Sequence, residues 1–166
     1  MEEHNVAYML IGGYALPFYG RIRTTVDIDL AIAIGNEREL RRLCDWLQRD
    51  DFEATPSSFR NPLIVVLDKK EGVELEVRMR PDGVVFDDGT LRRRRKVRLD
   101  EEVEAWAISP EDFIVNKLAR PDRGAVDEQD VKSVLVRQKD KLDEEYLKKR
   151  AQKAGVLALL QAIQNQ

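Results

Sequence analysis

The run Ile11-Gly-Gly-Tyr-Ala-Leu16, followed by Arg23-Thr-Thr-Val-Asp-Ile-Asp-Leu30, decides how this sequence is read. Val6-Ala-Tyr-Met-Leu-Ile11 is a short apolar run ending at Gly12-Gly13, the pattern of a buried strand entering a turn. Ala15 to Gly20 predicts a short helix beyond that turn, and Thr24 to Ile34, rich in β-branched residues, predicts a second strand. In that strand Val26, Ile28 and Leu30 alternate with Thr25, Asp27 and Asp29. Residues two apart on a strand project from one face, with Cα atoms about 6.5–7 Å apart. Two carboxylates placed so repel by ~1 kcal/mol in water at about 4 Å, and by more where solvent screens less. A wet face tolerates this, and a divalent cation between the acids turns it to use. Alone, the pair fits a solvated strand face better than a site.

Its surroundings change that balance. A glycine pair at a strand-to-helix turn either satisfies a backbone needing positive φ or lets phosphate oxygens approach main-chain N–H groups. A third acid is available in Val73-Glu-Leu-Glu-Val-Arg-Met79, where apolar residues alternate with Glu74, Glu76 and Arg78. Should this strand neighbour the Asp27 strand, Glu74 or Glu76 completes a carboxylate cluster; otherwise these are the outward residues of an edge strand.

Further out, Leu40, Leu43 and Leu47 recur at helical spacing in Glu37 to Arg49, with Asn36 as its N-cap. Leu63 to Leu67 and Val73 to Met79 predict a hairpin turning through Asp68 to Gly72, and Arg95 to Leu99 with Val103 to Ile108 a second strand pair. Ser109-Pro-Glu-Asp112 is a helix start, with serine as cap and proline at the first helical position. That helix is expected to reach about Ala119, another to begin near Asp127, and a third to cover Asp143 to Ile163. Val156 to Ile163 is strongly apolar and either packs on the core or meets a second copy or partner protein. The expected architecture is an α/β (α+β) core over 1–108, a mixed sheet flanked by helices, with a C-terminal helical lobe over 109–166, together one compact domain.

Composition narrows the chemistry. The chain has 166 residues, one domain's worth, and 36% of them are charged, yet the net charge is only −3. The overall field therefore will not hold nucleic acid nonspecifically. Arg92-Arg-Arg-Arg-Lys96 with Arg98 is the strongest basic run, either a phosphate-backbone contact or, with no aromatic interleaved, a solvated face. With His4 the single histidine and Cys44 the single cysteine, histidine-based nucleophilic sites and His/Cys zinc sites lack residues. Any metal must be held by carboxylates, which favours Mg²⁺ or Mn²⁺. The opening Met-Glu-Glu-His has no signal-peptide pattern, and no apolar run approaches the ~20 residues of a membrane span, so the expected location is the cytoplasm with no membrane contact.

The two quoted motifs resemble the first motif of the polymerase-beta nucleotidyltransferase superfamily, most closely the small prokaryotic proteins related to AbiEii-type toxins and minimal nucleotidyltransferases. Ser109-Pro-Glu-Asp-Phe-Ile-Val-Asn-Lys-Leu-Ala119 is similar to that family's later helix, with Lys117 at its lysine; Asp127-Glu-Gln-Asp-Val131 resembles the acidic element after it. Gly72-Val-Glu-Leu-Glu-Val77 resembles the strand bearing the third acid and favours Glu76 over Glu74. The resemblance implies two-metal transfer of a nucleoside monophosphate from a nucleoside triphosphate to an acceptor hydroxyl, on tRNA, protein or another acceptor. It implies that Asp27, Asp29 and Glu76 hold Mg²⁺ or Mn²⁺ and that Glu76 acts as base. Gly12, Gly13, Arg23, Lys117, Asp127 and Asp130 would serve the nucleotide. Two positions depart from the pattern: Gly13 stands where many active transferases have serine, and Glu76 where aspartate is common. The alternatives are a catalytically silent binding protein of the same fold and a component of a toxin–antitoxin pair.

Overall fold

The computed structural model describes residues 1, 4–55, 59–61 and 63–165. Among these, the strands are β1 (Tyr8–Leu10), β2 (Ile28–Ile32), β3 (Phe52–Thr55), β4 (Leu63–Asp68), β5 (Glu74–Arg78), β6 (Arg95–Arg98) and β7 (Glu104–Ala107). They form one seven-stranded sheet in the order β3-β4-β5-β2-β1-β7-β6. β2 pairs β5 and β1 pairs β7 in parallel, and the remaining pairs are antiparallel. The helices are α1 (Gly12–Ala15), α2 (Glu37–Arg49), α3 (Asp88–Arg93), α4 (Pro110–Ala119), α5 (Ala125–Arg137), α6 (Glu144–Lys153) and α7 (Leu157–Gln164), with a 3₁₀ turn at Leu16–Phe18. The expected α/β mixed sheet flanked by helices is the fold found. No described helix is long and apolar enough to cross a membrane.

Two cores hold the sheet. In one, Leu40, Leu43, Cys44 and Leu47 of α2 meet Ile32, Ile64, Val66 and Val77. The Asn36 carboxamide starts α2 by accepting from the Glu39 N–H at 3.0 Å. In the other, Phe113, Ile114 and Leu118 of α4, Val131 and Val134 of α5, Leu147 of α6 and Leu160 of α7 close on Met9, Leu10, Ala105 and Ala107. Each fully buried large apolar side chain contributes about 1.5–3 kcal/mol relative to exposure. The apolar end of the chain therefore packs on the core: Leu160 and Ile163 are buried in it.

Helix α4 is buried on every side, so its polar residues need partners. Ser109 caps it, accepting from the Asp112 N–H at 3.1 Å. Asn116 donates to the Asp82 carbonyl at 2.9 Å, and Glu111 accepts from the Asp143 N–H at 3.0 Å.

Four expectations are corrected. The Asp27–Asp29 strand begins only at Ile28, because Arg21 and Arg23 are drawn towards α5: the Arg21 N–H donates to Ser133 Oγ at 3.1 Å. The short helix begins at Gly12, directly on the glycine turn, and ends as a 3₁₀ turn before Tyr19. The long final helix is two, broken at Gly155, whose φ is +73°. There Val156 N–H bonds to Ala151 O at 2.9 Å and Gly155 N–H to Gln152 O at 3.1 Å, the paired bonds of a left-handed helix end. Finally, β3 and α3 stand where no element was expected; Asp87 nucleates α3 by accepting from the Thr90 N–H at 2.9 Å.

The basic run is largely occupied within the fold. Arg93 bonds Asp143 at 2.7 Å and stacks on Tyr146, Arg94 donates to the Tyr8 carbonyl at 2.7 Å and lies over Trp106, and Lys96 pairs with Glu104.

Candidate active site

The parallel register of β2 and β5 sets Asp29 directly beside Glu76. Both therefore project from the same face of adjacent strands. Glu74, the other candidate, is exposed at the start of β5. Asp27 lies just before β2, exposed to solvent, and its charge reaches Asp29.

The glycine turn is built against these acids. The Asp29 carbonyl accepts from the Ile11 N–H at 3.0 Å, holding the strand end to the turn. Gly12 has φ +60°, and a Cβ placed there would lie 2.8 Å from Asp29 Cγ and closer still to a carboxylate oxygen. A Cβ on Gly13 would fall 2.6 Å from the Cβ of Thr25. No serine fits at position 13 while Thr25 keeps its place, which gives the glycine there a local cause. Gly12→Ala is expected to lower the thermal midpoint, since the left-handed backbone alone costs roughly 1–2 kcal/mol, and to displace Asp29 as well. Thermal melts followed by circular dichroism, with a metal-binding titration, check both effects.

Asp29 lines a cleft of about 300 Å³ with Ile11, Gly12, Arg78, Asn116, Lys117 and Arg120. Burial holds its carboxyl above the usual carboxylate range. Arg78 opposes that shift, and the charges of Glu76 and Asp27 add to it. Arg78 bridges the two strand acids: its Nη2 is 2.5 Å from Glu76 Oε2 and its Nε 3.9 Å from Asp29 Oδ1. Arg120 and Asp122 pair at 2.8 Å on the loop that forms the cleft's other wall.

Lys117 reaches this cleft from α4 although only 2% exposed. Its Nζ donates to Asp127 Oδ1 at 2.8 Å and lies 3.4 Å from Asp130 Oδ2. Asp127 also accepts from the Gly124 N–H at 3.1 Å at the start of α5. Asp130, fully buried, takes Arg21 Nη2 at 2.8 Å and Arg23 Nη2 at 3.2 Å. Arg23, Asp127 and Asp130 thus form one ionic knot with Lys117, and Arg23 is turned to an acid of α5. This knot, with Gln138 donating to the Tyr19 carbonyl at 3.1 Å, fixes the segment leading to Asp27.

Sequence reasoning missed Arg78, Asp82, Asn116, Arg120 and Asp122 as cleft residues. Arg78 carried a signal, since it follows Glu76 by two residues on one strand face. The others lie at the end of α4 or in loops, where no periodicity reports a shared cleft.

The donor set fits a hard cation. Mg²⁺ is ordinarily held by one or two carboxylates, with substrate phosphates and water completing its shell. Asp27 and Asp29 supply two such oxygen donors, one exposed and one part-buried, with Arg78 Nε 3.9 Å from Asp29 as its nearby cation. Among the described residues, no three acid, histidine or cysteine side chains converge as a ready-made metal cage. Glu76 is held by Arg78 instead.

No curated protein sequence matches the chain. The fold is similar to that of the lincosamide antibiotic adenylyltransferase LnuA in its lincomycin-bound crystal structure, with a TM-score of 0.50 and 16% identity over 80% of this chain and 88% of that one. A second solved structure, the antibiotic-resistance factor ANT(2'')-Ia, has a TM-score of 0.47 and 16% identity over 99% of this chain and 90% of its own. At such identities the likeness concerns the fold alone. The sequence itself goes further: matching the family's model over residues 1–164, the chain belongs to the family described as a nucleotidyltransferase of unknown function, DUF6036.

Proposed function

We propose that this chain is a metal-dependent enzyme that moves a nucleoside monophosphate from a nucleoside triphosphate to an acceptor hydroxyl. The observation that carries the reading is Asp29, part-buried in a cleft against Gly12, with Asp27 and Glu76 adjacent and Lys117 and Arg120 on the cleft wall. Asp27 and Asp29 would hold Mg²⁺ or Mn²⁺, and Glu76 would join them. Bound there, the metal supplies positive charge and orientation to the phosphates. Gly12, which lines the cleft, would present its backbone to the triphosphate, with Gly13 packed beneath it against Thr25, and Lys117 and Arg120 would offset the charge. Arg23, Asp127 and Asp130 act indirectly, by fixing Lys117 and the approach to Asp27. The acceptor oxygen attacks the α-phosphorus while its proton passes to a Glu76 oxygen, and pyrophosphate leaves.

The test is transfer from α-³²P-labelled triphosphates to an RNA pool and to protein, with Mg²⁺ or Mn²⁺ and with chelator. Label should appear only with metal and vanish in the Asp27→Ala and Asp29→Ala proteins. Undiminished labelling by Asp29→Ala would sink the assignment. If tRNA is the acceptor class and the chain a toxin of the AbiEii kind, its expression will arrest growth until a neighbouring gene product is supplied.

A second reading, binding without transfer, draws on the Arg78–Glu76 pair, in which the guanidinium competes with a metal for the third acid. Calorimetry with Mg²⁺ and each triphosphate separates the two, since binding without label transfer supports the silent module.

A further inference from the structure

Arg78 lines the cleft beside the acids, and nucleotidyl transfer by the three acids assigns it no task. Its contacts are specific. Asp29 and Glu76 are register partners on parallel strands, so two carboxylates share one patch of sheet. Arg78 follows Glu76 by two residues, on the same face, and its guanidinium reaches both acids. The side chain is 34% exposed and lines the cleft opposite the loop of Arg120 and Asp122. It is therefore placed to turn within the cleft without unpacking a core residue.

We propose that Arg78 is a built-in counter-cation that holds the charge of Asp29 and Glu76 in the absence of metal and turns to the triphosphate when metal takes the acids. Metal capture and nucleotide binding are thereby coupled through one side chain. The proposal rests on the metal-dependent reading above. The physical basis is competition for the same oxygens: a guanidinium 2.5 Å from Glu76 occupies a lone pair that a cation would use. Its positive charge also repels a divalent ion from Asp29. Once displaced, the planar fork of arginine suits phosphate oxygens, which it can grip with two parallel N–H groups. A merely structural ion pair would stabilise the fold and leave metal affinity unchanged or lower when removed.

The two roles separate in binding experiments that need no turnover. Mn²⁺ binding to the nucleotide-free protein is followed by electron paramagnetic resonance, and ATP binding in the presence of chelator by calorimetry. The proteins are wild type, the neutral variants Arg78→Gln and Arg78→Met, the charged variant Arg78→Lys, and Asp29→Asn as the baseline without a site. Removing a unit charge a few ångströms from the ion should tighten Mn²⁺ about tenfold in both neutral variants, and should weaken metal-free ATP by a similar factor. Arg78→Lys should stay near wild type in Mn²⁺ affinity. Unchanged or weaker Mn²⁺ binding in both neutral variants overturns the proposal. If instead wild type and every Arg78 variant match Asp29→Asn in showing no Mn²⁺ binding, the metal-dependent reading itself fails, and the proposal with it.

Discussion

Asp29→Asn is expected, on the metal-dependent mechanism proposed above, to cut transfer by on the order of 10³-fold, as removal of a preorganised catalytic charge does, while raising the stability of the folded protein at neutral pH. The two effects have one origin. Asp29 is held against Gly12 and beside Glu76, where burial raises its carboxyl above the usual range and Arg78 only partly opposes the shift. A carboxyl whose pKa rises on folding contributes stability that is fully present below its unfolded value and is lost as pH climbs through the raised folded value. At neutral pH the ionised group is therefore a net cost to folding, and asparagine is free of it. Urea titrations from pH 4 to pH 8 should show the variant's advantage growing with pH and fading at the acid end. A variant that loses activity and also loses stability at pH 7 would show that Asp29 is needed for the fold rather than kept for its chemistry. A variant that loses activity and gains stability would mark Asp29 as kept for a poised charge at the expense of stability.

Arg150→Ala should give the largest loss of stability, about 3 kcal/mol, near the lower end for breaking a buried charge pair because Asp87 is itself half-exposed. Arg150 is 6% exposed in α6 and reaches back to α3: it donates to both Asp87 oxygens, at 2.7 and 2.5 Å, and to Thr90 Oγ1 at 2.6 Å. It also donates to the Tyr146 hydroxyl at 2.8 Å, and that hydroxyl in turn donates to Asp112 at 2.9 Å. Without the guanidinium, Asp112 stays buried while its Oδ1, which accepts no hydrogen bond, loses the Arg150 Nε that lies 3.5 Å away, and α3 loses most of its hold on α6. The pH dependence has the opposite sign to that of Asp29. The hydrogen bonds from Arg150 hold the Asp87 carboxyl well below the usual range. Its contribution is present above the unfolded carboxylate value and is lost as pH falls below it. The stability of wild type read from chemical denaturation should thus fall on the acid side, and this part of the slope should flatten in Arg150→Ala. Arg150→Met, which keeps the apolar stem, separates lost packing from lost charge.

Much of this was legible because single residues carry local chemistry. Asn36 and Ser109-Pro110 announce α2 and α4 through their caps, and Asp68 to Gly72 announces a hairpin, with Gly72 at φ +68°. Alternation in β5 placed Glu74 and Glu76 on one face, but the choice between them came from resemblance, and their neighbour on the sheet is a matter of long-range register. Nothing local shows that β2 and β5 run parallel, which is what sets Glu76 beside Asp29. Helix α3 was hidden because so short an element shows no periodicity, and much of what holds it is tertiary: Arg150 bonds Asp87 and Thr90, and Arg93 bonds Asp143. The expected strand start at Thr24 failed for a related reason: Arg21 and Arg23 are drawn to Asp130, more than a hundred positions later in sequence. Arg78 and Arg120 were overlooked because surface-like arginines are ordinary in a chain with 36% charged residues.

The knot at Asp130 makes the topological boundary after Ile108 a poor place to divide the molecule. The acids sit in the first half, but the segment that delivers Asp27 is anchored by Ser133, Arg137, Gln138 and Asp130 of the second. A fragment ending at Ile108 would carry every proposed metal ligand and leave Asp27 on a loose strap. Splitting the gene there should give two pieces that are each silent and recover together only when mixed, so reassembly could be read directly as return of the site.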